Sequence, residues 1–409
     1  MTIQNILSDL AASRQTREAL YQDFHRHPEL SLQEYRTAER IEAELRSYGI
    51  EVLRIGKTGV VGVINNGPGP VVAMRGDIDA LPMAEQSGKD YAATGVTQLD
   101  EATGQQTPVA HTCGHDVHIV CLLGAAKALQ DHRQDWSGTF LAVFQPGEEN
   151  AAGAQAMVDA GIVDKLPKPD VYLGQHVLGT LPGGAVGIRS GALFSAAASV
   201  EITLYGKGSH GSMPNLGVDP IVLGAAIVTR LQTIVAREVA PRETAVVTVG
   251  SFHAGSKSNI IPDSAVLQLN TRAFDKAVEA HLHEAIERIV RAECEAARSP
   301  RPPQFRYYDR YPLTHNHAEP TARVRAAFDA YFGEDSVEMA PVAASEDFSI
   351  IPDAFGCPYS YWGLGGFADW KQAPGNHSPF FAPDLQPTLD RGVEAIIVAA
   401  SPWLIGGVQ

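Results

Sequence analysis

Residues 70–82, with the sequence PVVAMRGDIDALP, decide the fold class, because an apolar run there ends in charged residues. The run predicts a buried strand with two aspartates, Asp77 and Asp79, at its carboxyl end. Further apolar runs end in similar polar residues, and helical patterns separate them, which predicts a layered α/β sheet. Ligands bind at the carboxyl ends of strands in open α/β sheets, so we expect the polar side chains to converge. The predicted elements are helices at 32–48, 115–132 and 150–160, and strands at 59–65, 70–79, 138–145 and 170–177.

The alternation of strand and helix signals changes after Gly191. Long β-type runs and helical stretches follow in the order strand, helix, strand, strand, helix, strand, which is the split βαβ pattern of a ferredoxin-like α+β domain. Beyond Pro312 a helical pattern and further strands resume the earlier alternation. We therefore predict a discontinuous domain, 1–189 and 313–409, with an α+β domain inserted at 190–312. The predicted strands of the insertion are 197–205, 244–252, 265–274 and 304–308, and its helices are 219–238 and 275–297.

Composition excludes several classes of partner. The chain has 409 residues and a formal net charge of -15, which argues for two domains and against nucleic acid or an anionic membrane as partner. It shows neither a signal-peptide pattern at its start nor an uninterrupted apolar run of eighteen residues, so we expect a cytoplasmic protein. The four cysteines are too few and too irregularly spaced for a disulfide framework.

Residues 111–118, with the sequence HTCGHDVH, indicate a metal site. A helix that starts at Gly114 or His115 would hold Cys113 and His115 at its amino end, with His118 about one turn further on. Thiolate and imidazole together suit zinc, with manganese, cobalt or nickel as alternatives that depend on the remaining ligands. Since a tight site needs three or four protein donors, further ligands must come from elsewhere in the chain.

Each further candidate also has a purely structural interpretation. Asp77 could be a turn or cap residue, and the pair Glu148 and Glu149 could form the solvated first turn of a helix. His176 could be a core histidine, and His377 lies in a loop rich in glycine and proline. Because all of these residues are expected at one edge of a sheet that already carries a thiol and an imidazole, a metal site is favoured.

Five segments of the chain, in order, carry a resemblance to a known family. They are RGDIDALP (75–82), HTCGHDVH (111–118), QPGEE (145–149), QHV (175–177) and HGSMP (210–214). This set resembles the M20 metallopeptidases, in particular the branch of aminoacylases, hippurate hydrolases and indole-acetyl-amino-acid hydrolases. The narrower resemblance is to bacterial N-acyl-amino-acid and N-acylglutamine aminoacylases. Two positions depart from the family pattern, Gly76 and Thr112, where alanine is usual; both changes are small and could alter loop packing.

The resemblance implies a mixed-sheet catalytic domain of the metallo-exopeptidase type with an inserted lid and dimerisation domain. It also implies two divalent metal ions, with zinc first and manganese or cobalt as alternatives, and Glu148 as the general base. Cys113 would bridge the ions as a thiolate. The remaining ligands would be His115, Glu149, His176 and His377. Groups that orient the ligands would be Asp77, Asp79, Asp116 and His118.

The inserted domain adds further candidates through the same resemblance. His210 would reach an active site, often that of the partner subunit, and stabilise the oxyanion; its structural alternative is a loop histidine. Asn259 and Arg272 would hold the substrate carboxylate, although Arg272 could equally be a surface strand residue. A free strand edge of this domain suggests a homodimer, with a homotetramer or an intramolecular packing face as alternatives.

The expected reaction is metal-dependent hydrolysis of the amide bond of N-acyl amino acids, which releases a carboxylic acid and a free amino acid. A carboxypeptidase or dipeptidase acting on short peptides is the alternative. Two metals would also suit phosphoesters, but the acidic chain offers no basic phosphate cradle. A non-catalytic scaffold would have lost the base or a ligand, and all are present. The glycine-rich loop at 363–374 could line the acyl pocket.

Overall fold

The computed structural model of the protein describes residues 2–101 and 103–405, which form two compact units. Among these residues, the first unit comprises the chain up to Gly191, residues 315–340, and the chain from Asp347 onward. The second unit comprises residues 192–314 and 341–346. The elements up to Ile188 are α1 (Ile3–Ile6), α2 (Arg14–Arg26), α3 (Tyr35–Ser47), β1 (Glu51–Ile55), β2 (Gly59–Asn66), β3 (Val71–Asp77), β4 (Thr97–Asp100), β5 (Gln105–Pro108), α4 (His115–Asp131), β6 (Gly138–Gln145), α5 (Gly153–Asp159), α6 (Ile162–Lys165), β7 (Val171–Pro182) and β8 (Val186–Ile188).

The rest of the chain continues both units. From Gly191 to Asn316 the elements are β9 (Gly191–Phe194), β10 (Ala196–Tyr205), β11 (Ser209–His210), α7 (Pro220–Thr233), β12 (Ala245–Ala254), β13 (Ile260–Ile261), β14 (Ser264–Ala273), α8 (Lys276–Ala296), β15 (Gln304–Tyr311) and β16 (Thr314–Asn316). The last elements are α9 (Ala318–Phe332), β17 (Ser336–Glu338), α10 (Ile350–Phe355), β18 (Tyr359–Phe367) and α11 (Thr388–Leu404).

A mixed sheet of eight strands, in the order β1-β2-β6-β3-β7-β18-β8-β17, forms the centre of the first unit. Strands β6, β3, β7 and β18 run parallel to one another, whereas β1, β2 and β6 are joined by antiparallel pairings. Helix α4 is buried along most of its length, and it packs on β3 and against α11. A helix that is apolar all round belongs in a core. The predicted mixed α/β sheet is confirmed.

The second unit contains an antiparallel sheet of four strands in the order β12-β14-β10-β15. With α7 after β10 and α8 after β14, this is the split βαβ order that the sequence predicts. Asp219 and Asp275 begin the two helices, each by accepting hydrogen bonds from backbone N–H groups of the first turn. The inner face of α7, with Leu223, Ile227 and Leu231, joins the apolar core of this unit.

Helix α7 continues as a π-helical turn, Ile234–Glu238. The combined stretch of 19 residues, Pro220–Glu238, is the single described helix that is long and apolar enough to cross a membrane. Length and composition of this kind also occur in helices that pack on a core, as α7 does, so this is weak evidence for a membrane span.

Three features differ from the sequence-based expectations. Residues 341–346 belong to the second unit rather than the first. The reason is that Val342 pairs in parallel with Phe194 of β9 and donates from its backbone N–H to Leu193 O at 2.8 Å. Strand β7 does not end near His176 but continues to Pro182. Residues 363–367, expected in a loop, are part of the buried strand β18. Glycine allows this packing, since a Cβ at Gly365 would lie 1.8 Å from Pro182 O.

Candidate metal centre

Cys113 and His115 are brought together by the tight turn that begins α4. Gly114 lies between them with φ +85°, and a Cβ at this position would lie 2.4 Å from Val177 Cγ1. Glycine avoids both the steric strain of the left-handed region and this clash. As the sequence predicts, α4 starts at His115, so the thiol and the imidazole lie next to each other at its amino end.

The carboxylates of Glu148 and Glu149 follow β6 on a second tight turn. Glu34 accepts a 2.8 Å hydrogen bond from Gly147 N–H, and Asp79 accepts one of 3.0 Å from Glu149 N–H, which fixes the turn from both sides. Both glutamate side chains are only 7% exposed. Their oxygens lie near the same imidazole: His115 Nε2 is 3.9 Å from Glu148 Oε2 and 3.8 Å from Glu149 Oε1.

Two more imidazoles complete the set. His176 Nε2 lies 3.5 Å from Cys113 Sγ, while its Nδ1 donates to the carbonyl of Val177 at 2.8 Å. His377 Nε2 lies 3.3 Å from Glu149 Oε2. The backbone N–H of His377 donates to Thr112 O at 2.8 Å, which joins its loop to the Cys113 turn.

Cys113 belongs to two groups of three potential metal donors. One group adds His115 and His176, the other adds Glu149 and His377, and the donor atoms within each group lie within 4.8 Å of one another. The structure thus brings together all five side chains expected as ligands. A shared thiolate is the arrangement required if one donor is to bridge two ions.

The donor set fits divalent metal ions. His115 Nε2 and Glu149 Oε1 are buried without a hydrogen-bond partner among the described residues, which is costly unless a bound ion or another group satisfies them. The opposite nitrogens of His115 and His176 are held by hydrogen bonds to Asp79 and Val177, the usual support for a metal-binding imidazole. Sulfur, nitrogen and carboxylate oxygen are the ligand types of zinc.

Asp79 supports two of these donors. His115 Nδ1 donates to its backbone carbonyl at 2.9 Å and to Oδ1 at 3.1 Å, and Ser31 donates to Oδ2 at 2.7 Å. Burial alone would raise the pKa of Asp79, but the hydrogen bonds from His115, Ser31 and Glu149 N–H lower it below its ordinary value. Asp79 is therefore an ionised acceptor that orients His115.

Asp77 lies in a buried charged network beside the donors. Arg75 Nη1 donates to Oδ2 at 2.7 Å, and His118 Nδ1 is hydrogen-bonded to Oδ1. Burial would raise the pKa of Asp77, yet Arg75 and the imidazoles of His115 and His118 hold it well below its ordinary value. Although Asp77, His115 and His118 also form a compact trio of potential donors, His118 Nε2 already accepts from Val177 N–H at 2.8 Å. Both nitrogens of His118 are thus engaged.

Asp116 faces away from the donors and binds a residue that sequence reasoning did not identify. His25 Nδ1 lies 2.6 Å from Asp116 Oδ2, and His25 Nε2 lies 3.0 Å from Glu85 Oε1. All three side chains are at most 1% exposed. The sequence around His25 does not indicate its partners, because Glu85 and Asp116 lie far away along the chain.

Within the second unit, His210 and Asn259 are neighbours. The β11–β13 pairing places His210 opposite Ile260, and Gly211 N–H donates to Asn259 O at 2.8 Å. His210 is exposed, and its Nδ1 accepts from Ser212 N–H at 3.1 Å. The proton of the neutral ring therefore lies on Nε2, which can act as a donor.

Arg272 is engaged inside the second unit. Its Nη1 donates to Ala343 O at 2.6 Å and to Ser345 Oγ at 3.0 Å, and its Nε donates to Asn270 Oδ1 at 3.2 Å. The guanidinium is thus held in a fixed orientation on β14 by the segment 341–346. Its expected role toward a substrate carboxylate stays a prediction.

Comparison with known proteins gives consistent matches. A sequence model of peptidase family M20/M25/M40 matches residues 73–399. The chain is 32% identical to an N-acetylcysteine deacetylase of Bacillus subtilis, with 92% of each chain covered. It is 35% identical to thermostable carboxypeptidase 2 of Saccharolobus solfataricus, with 88% of each covered.

A solved structure extends the likeness to the fold. A dinuclear metal-binding peptidase of the M20 family from Bacillus subtilis superposes with a TM-score of 0.79 at 28% identity, covering 95% of this chain and 98% of that one. The family match spans well over half of the chain and agrees with the resemblance carried by the five sequence segments. The protein belongs to the peptidase family M20/M25/M40.

Proposed function

We propose that the protein is a metal-dependent amidohydrolase that cleaves the amide bond of N-acyl amino acids. The observation that carries this proposal is the cluster in which the buried Cys113 is shared by two donor groups, with Glu148 beside it. The similarity to an N-acetylcysteine deacetylase supports the N-acyl amino acid as the substrate class. Two divalent ions, with zinc as the first choice, would be held by Cys113, His115, Glu149, His176 and His377.

Ions bound by these donors would polarise the scissile carbonyl and lower the pKa of a bound water. Glu148 is proposed to take a proton from that water and to deliver it to the nitrogen of the leaving amine. The C–N bond breaks, the acyl carbon keeps the oxygen of the water, and the products are a carboxylic acid and a free amino acid. Glu149, fixed by Asp79 through its backbone N–H, serves as a ligand instead of as a base.

The second unit is proposed to supply the remaining contacts. His210 is exposed and offers an Nε2–H, the kind of donor that stabilises an oxyanion. Arg272 and Asn259 are proposed to bind the carboxylate of the substrate. These three side chains are all on the second unit.

We further propose that the protein is a cytoplasmic homodimer. In the second unit β12 is an edge strand, and Val246 on it is 39% exposed. Helix α7 and its π-helical extension also expose apolar side chains, with Ile221 at 41%, Val222 at 66% and Val235 at 37%. An unpaired strand edge beside exposed apolar residues favours association with a second copy.

A carboxypeptidase or dipeptidase activity is the second candidate, and the similarity to thermostable carboxypeptidase 2 favours it. It uses the same site, since a peptide bond is an amide with a free carboxylate on its carboxyl side. The two functions therefore differ in the group on the acyl side rather than in the chemistry.

A turnover panel separates these candidates. The purified protein, loaded separately with zinc, manganese and cobalt, is given N-acyl amino acids of increasing acyl length, dipeptides, and an aryl phosphate. We expect hydrolysis of N-acyl amino acids, and weaker hydrolysis of analogues whose carboxylate is converted to an amide. Cleavage of dipeptides alone would support the peptidase, and cleavage of the phosphate alone would overturn both.

A further inference from the structure

Asn376, the residue before His377, contacts two other segments that carry candidate ligands. Its Nδ2 lies 3.1 Å from Cys113 O and 3.1 Å from Val177 O, so it can donate to both carbonyls. The same nitrogen lies 3.9 Å from Cys113 Sγ, within the range of an N–H···S hydrogen bond. One amide group therefore joins the Cys113 turn, strand β7 directly after His176, and the loop of His377.

The contact with Val177 also affects His176. The carbonyl of Val177 accepts from His176 Nδ1 at 2.8 Å as well as from Asn376 Nδ2. Because the amide fixes this carbonyl, it also fixes the acceptor that keeps the proton of His176 on Nδ1 and leaves Nε2 facing Cys113 Sγ. A small error in this orientation would move a donor atom away from the ion.

His377 is held in an unfavourable backbone conformation. Its φ is +67°, in the left-handed region that residues with a side chain rarely adopt. Its backbone N–H donates to Thr112 O, and the side chain of the preceding Asn376 adds the bonds to Cys113 and Val177. Such a conformation persists only where neighbouring contacts impose it, and these contacts come from the ligand-bearing segments themselves.

We propose that Asn376 is a positioning residue of the metal centre, which orients Cys113, His176 and His377 through hydrogen bonds without binding an ion. This rests on the proposed metal-dependent function, because the three residues it orients are the proposed ligands. An amide is the suitable group: it has two N–H donors, and the three groups it faces are two carbonyl oxygens and a sulfur. A carboxylate of the same shape would present negative oxygens to all three.

A matched control lies elsewhere in the first unit. Asn316 is fully buried and also bridges two carbonyls, donating to Arg189 O at 2.9 Å and to Tyr361 O at 2.8 Å. None of its partners is a proposed metal ligand. Asn316→Ala therefore removes these two hydrogen bonds, together with one that Asn316 Oδ1 accepts from Tyr361 N–H at 2.7 Å, and reports what the loss of a buried amide does to folding alone.

The test measures zinc affinity by competition with a chromophoric chelator, zinc stoichiometry by elemental analysis, and unfolding of the metal-free proteins. We expect Asn376→Ala to weaken zinc binding about 10-fold to 100-fold and Asn376→Asp to weaken it further. Asn316→Ala is expected to lose stability but to retain the wild-type affinity. At saturating zinc, kcat of Asn376→Ala should recover toward the wild-type value.

The proposal is overturned if both Asn376 variants bind zinc as the wild type does, or if Asn316→Ala weakens binding as much as Asn376→Ala. Should Asn376→Asp fail to fold, the comparison of the two alanine variants decides. If the wild type and both Asn376 variants bind zinc equally well, only this proposal is refuted. A wild-type protein that binds no divalent ion refutes the proposed function, and this proposal with it.

Discussion

His118 Nε2 accepts a 2.8 Å hydrogen bond from the backbone N–H of Val177. The other nitrogen, Nδ1, must then carry the proton, and it is hydrogen-bonded to Asp77. His118 lies one turn from His115 on α4, yet it has both nitrogens engaged, whereas His115 Nε2 has no hydrogen-bond partner among the described residues. Two histidines of one motif thus have different hydrogen-bond environments, and the difference comes from the bond that Val177 of β7 donates to His118 alone.

We predict that His118→Asn keeps two zinc ions per chain but binds them about 10-fold to 100-fold more weakly, since it loses support without losing a ligand. His115→Asn, on the same helix face, should instead lose an ion. Elemental analysis after dialysis, together with chelator competition, measures both. Loss of an ion in the His118 variant as complete as in the His115 variant would contradict this assignment.

We predict that Glu148→Gln binds zinc normally but hydrolyses N-acyl amino acids about 10²-fold to 10⁴-fold more slowly, the usual contribution of a general base. The amide keeps the size of the side chain but cannot take a proton from water. The matched variant Glu149→Gln should lose metal as well as activity. Steady-state turnover and zinc content are measured on the same samples, and wild-type turnover by Glu148→Gln would disprove the role.

We predict that Gly114→Ala lowers the free energy of unfolding by about 2–4 kcal/mol, from left-handed strain and from overpacking against Val177. It should also weaken zinc binding, because relief of the clash moves Cys113 or His115. Gly95 is the control, since its φ is +73° and nothing lies within 4 Å of an added Cβ.

Gly95→Ala should therefore cost only the backbone strain, about 1–2 kcal/mol, and leave zinc affinity unchanged. Urea unfolding and chelator competition measure the two effects. Equal losses in the two glycine variants would show that the contact with Val177 is unimportant.

The local features of this fold could be predicted because they depend on near neighbours in sequence. The helix predicted at 115–132 is observed at His115–Asp131, and the strand predicted at 70–79 is observed at Val71–Asp77. Apolar periodicity and the turn glycine determine these bounds. The same holds for the order of elements in the second unit, where the sequence shows β-type apolar runs and an aspartate at the start of each helix.

Features that depend on distant contacts could not be predicted. The glycines of 363–366 are typical of a loop, yet they form part of β18 because its neighbour β7 comes so close that side chains would clash. Sequence alone could not separate His118 from His115 either, apart from the family resemblance, since the distinguishing bond comes from Val177. Asn376 and His25 were missed for the same reason: each acts through partners far away along the chain.

His25 provides a pH-dependent prediction. It lies between the carboxylates of Asp116 and Glu85, and the rings of Tyr21 and Tyr91 pack on it at 5.4 and 5.2 Å. Burial alone would lower the pKa of His25, but the two carboxylates raise it to about 9 from an ordinary value of 6.5. Burial would likewise raise the pKa of Asp116, but neighbouring imidazoles lower it below its ordinary value. His25 is thus charged at neutral pH and donates from both nitrogens.

Because this pKa is higher in the folded than in the unfolded chain, the stabilisation is complete below about pH 6.5 and disappears as the pH rises through about 9. At about 1.4 kcal/mol per pKa unit, the difference amounts to at most about 3–4 kcal/mol. We therefore predict that the metal-free wild type loses more free energy of unfolding between pH 7 and pH 10 than His25→Gln, which lacks the titrating group. Urea titrations in excess chelator measure this difference, because the chelator removes metal binding, which itself depends on pH. His27→Gln, whose imidazole is 48% exposed, should follow the wild type, and a His25→Gln curve parallel to the wild type would show that this imidazole does not carry the pH dependence.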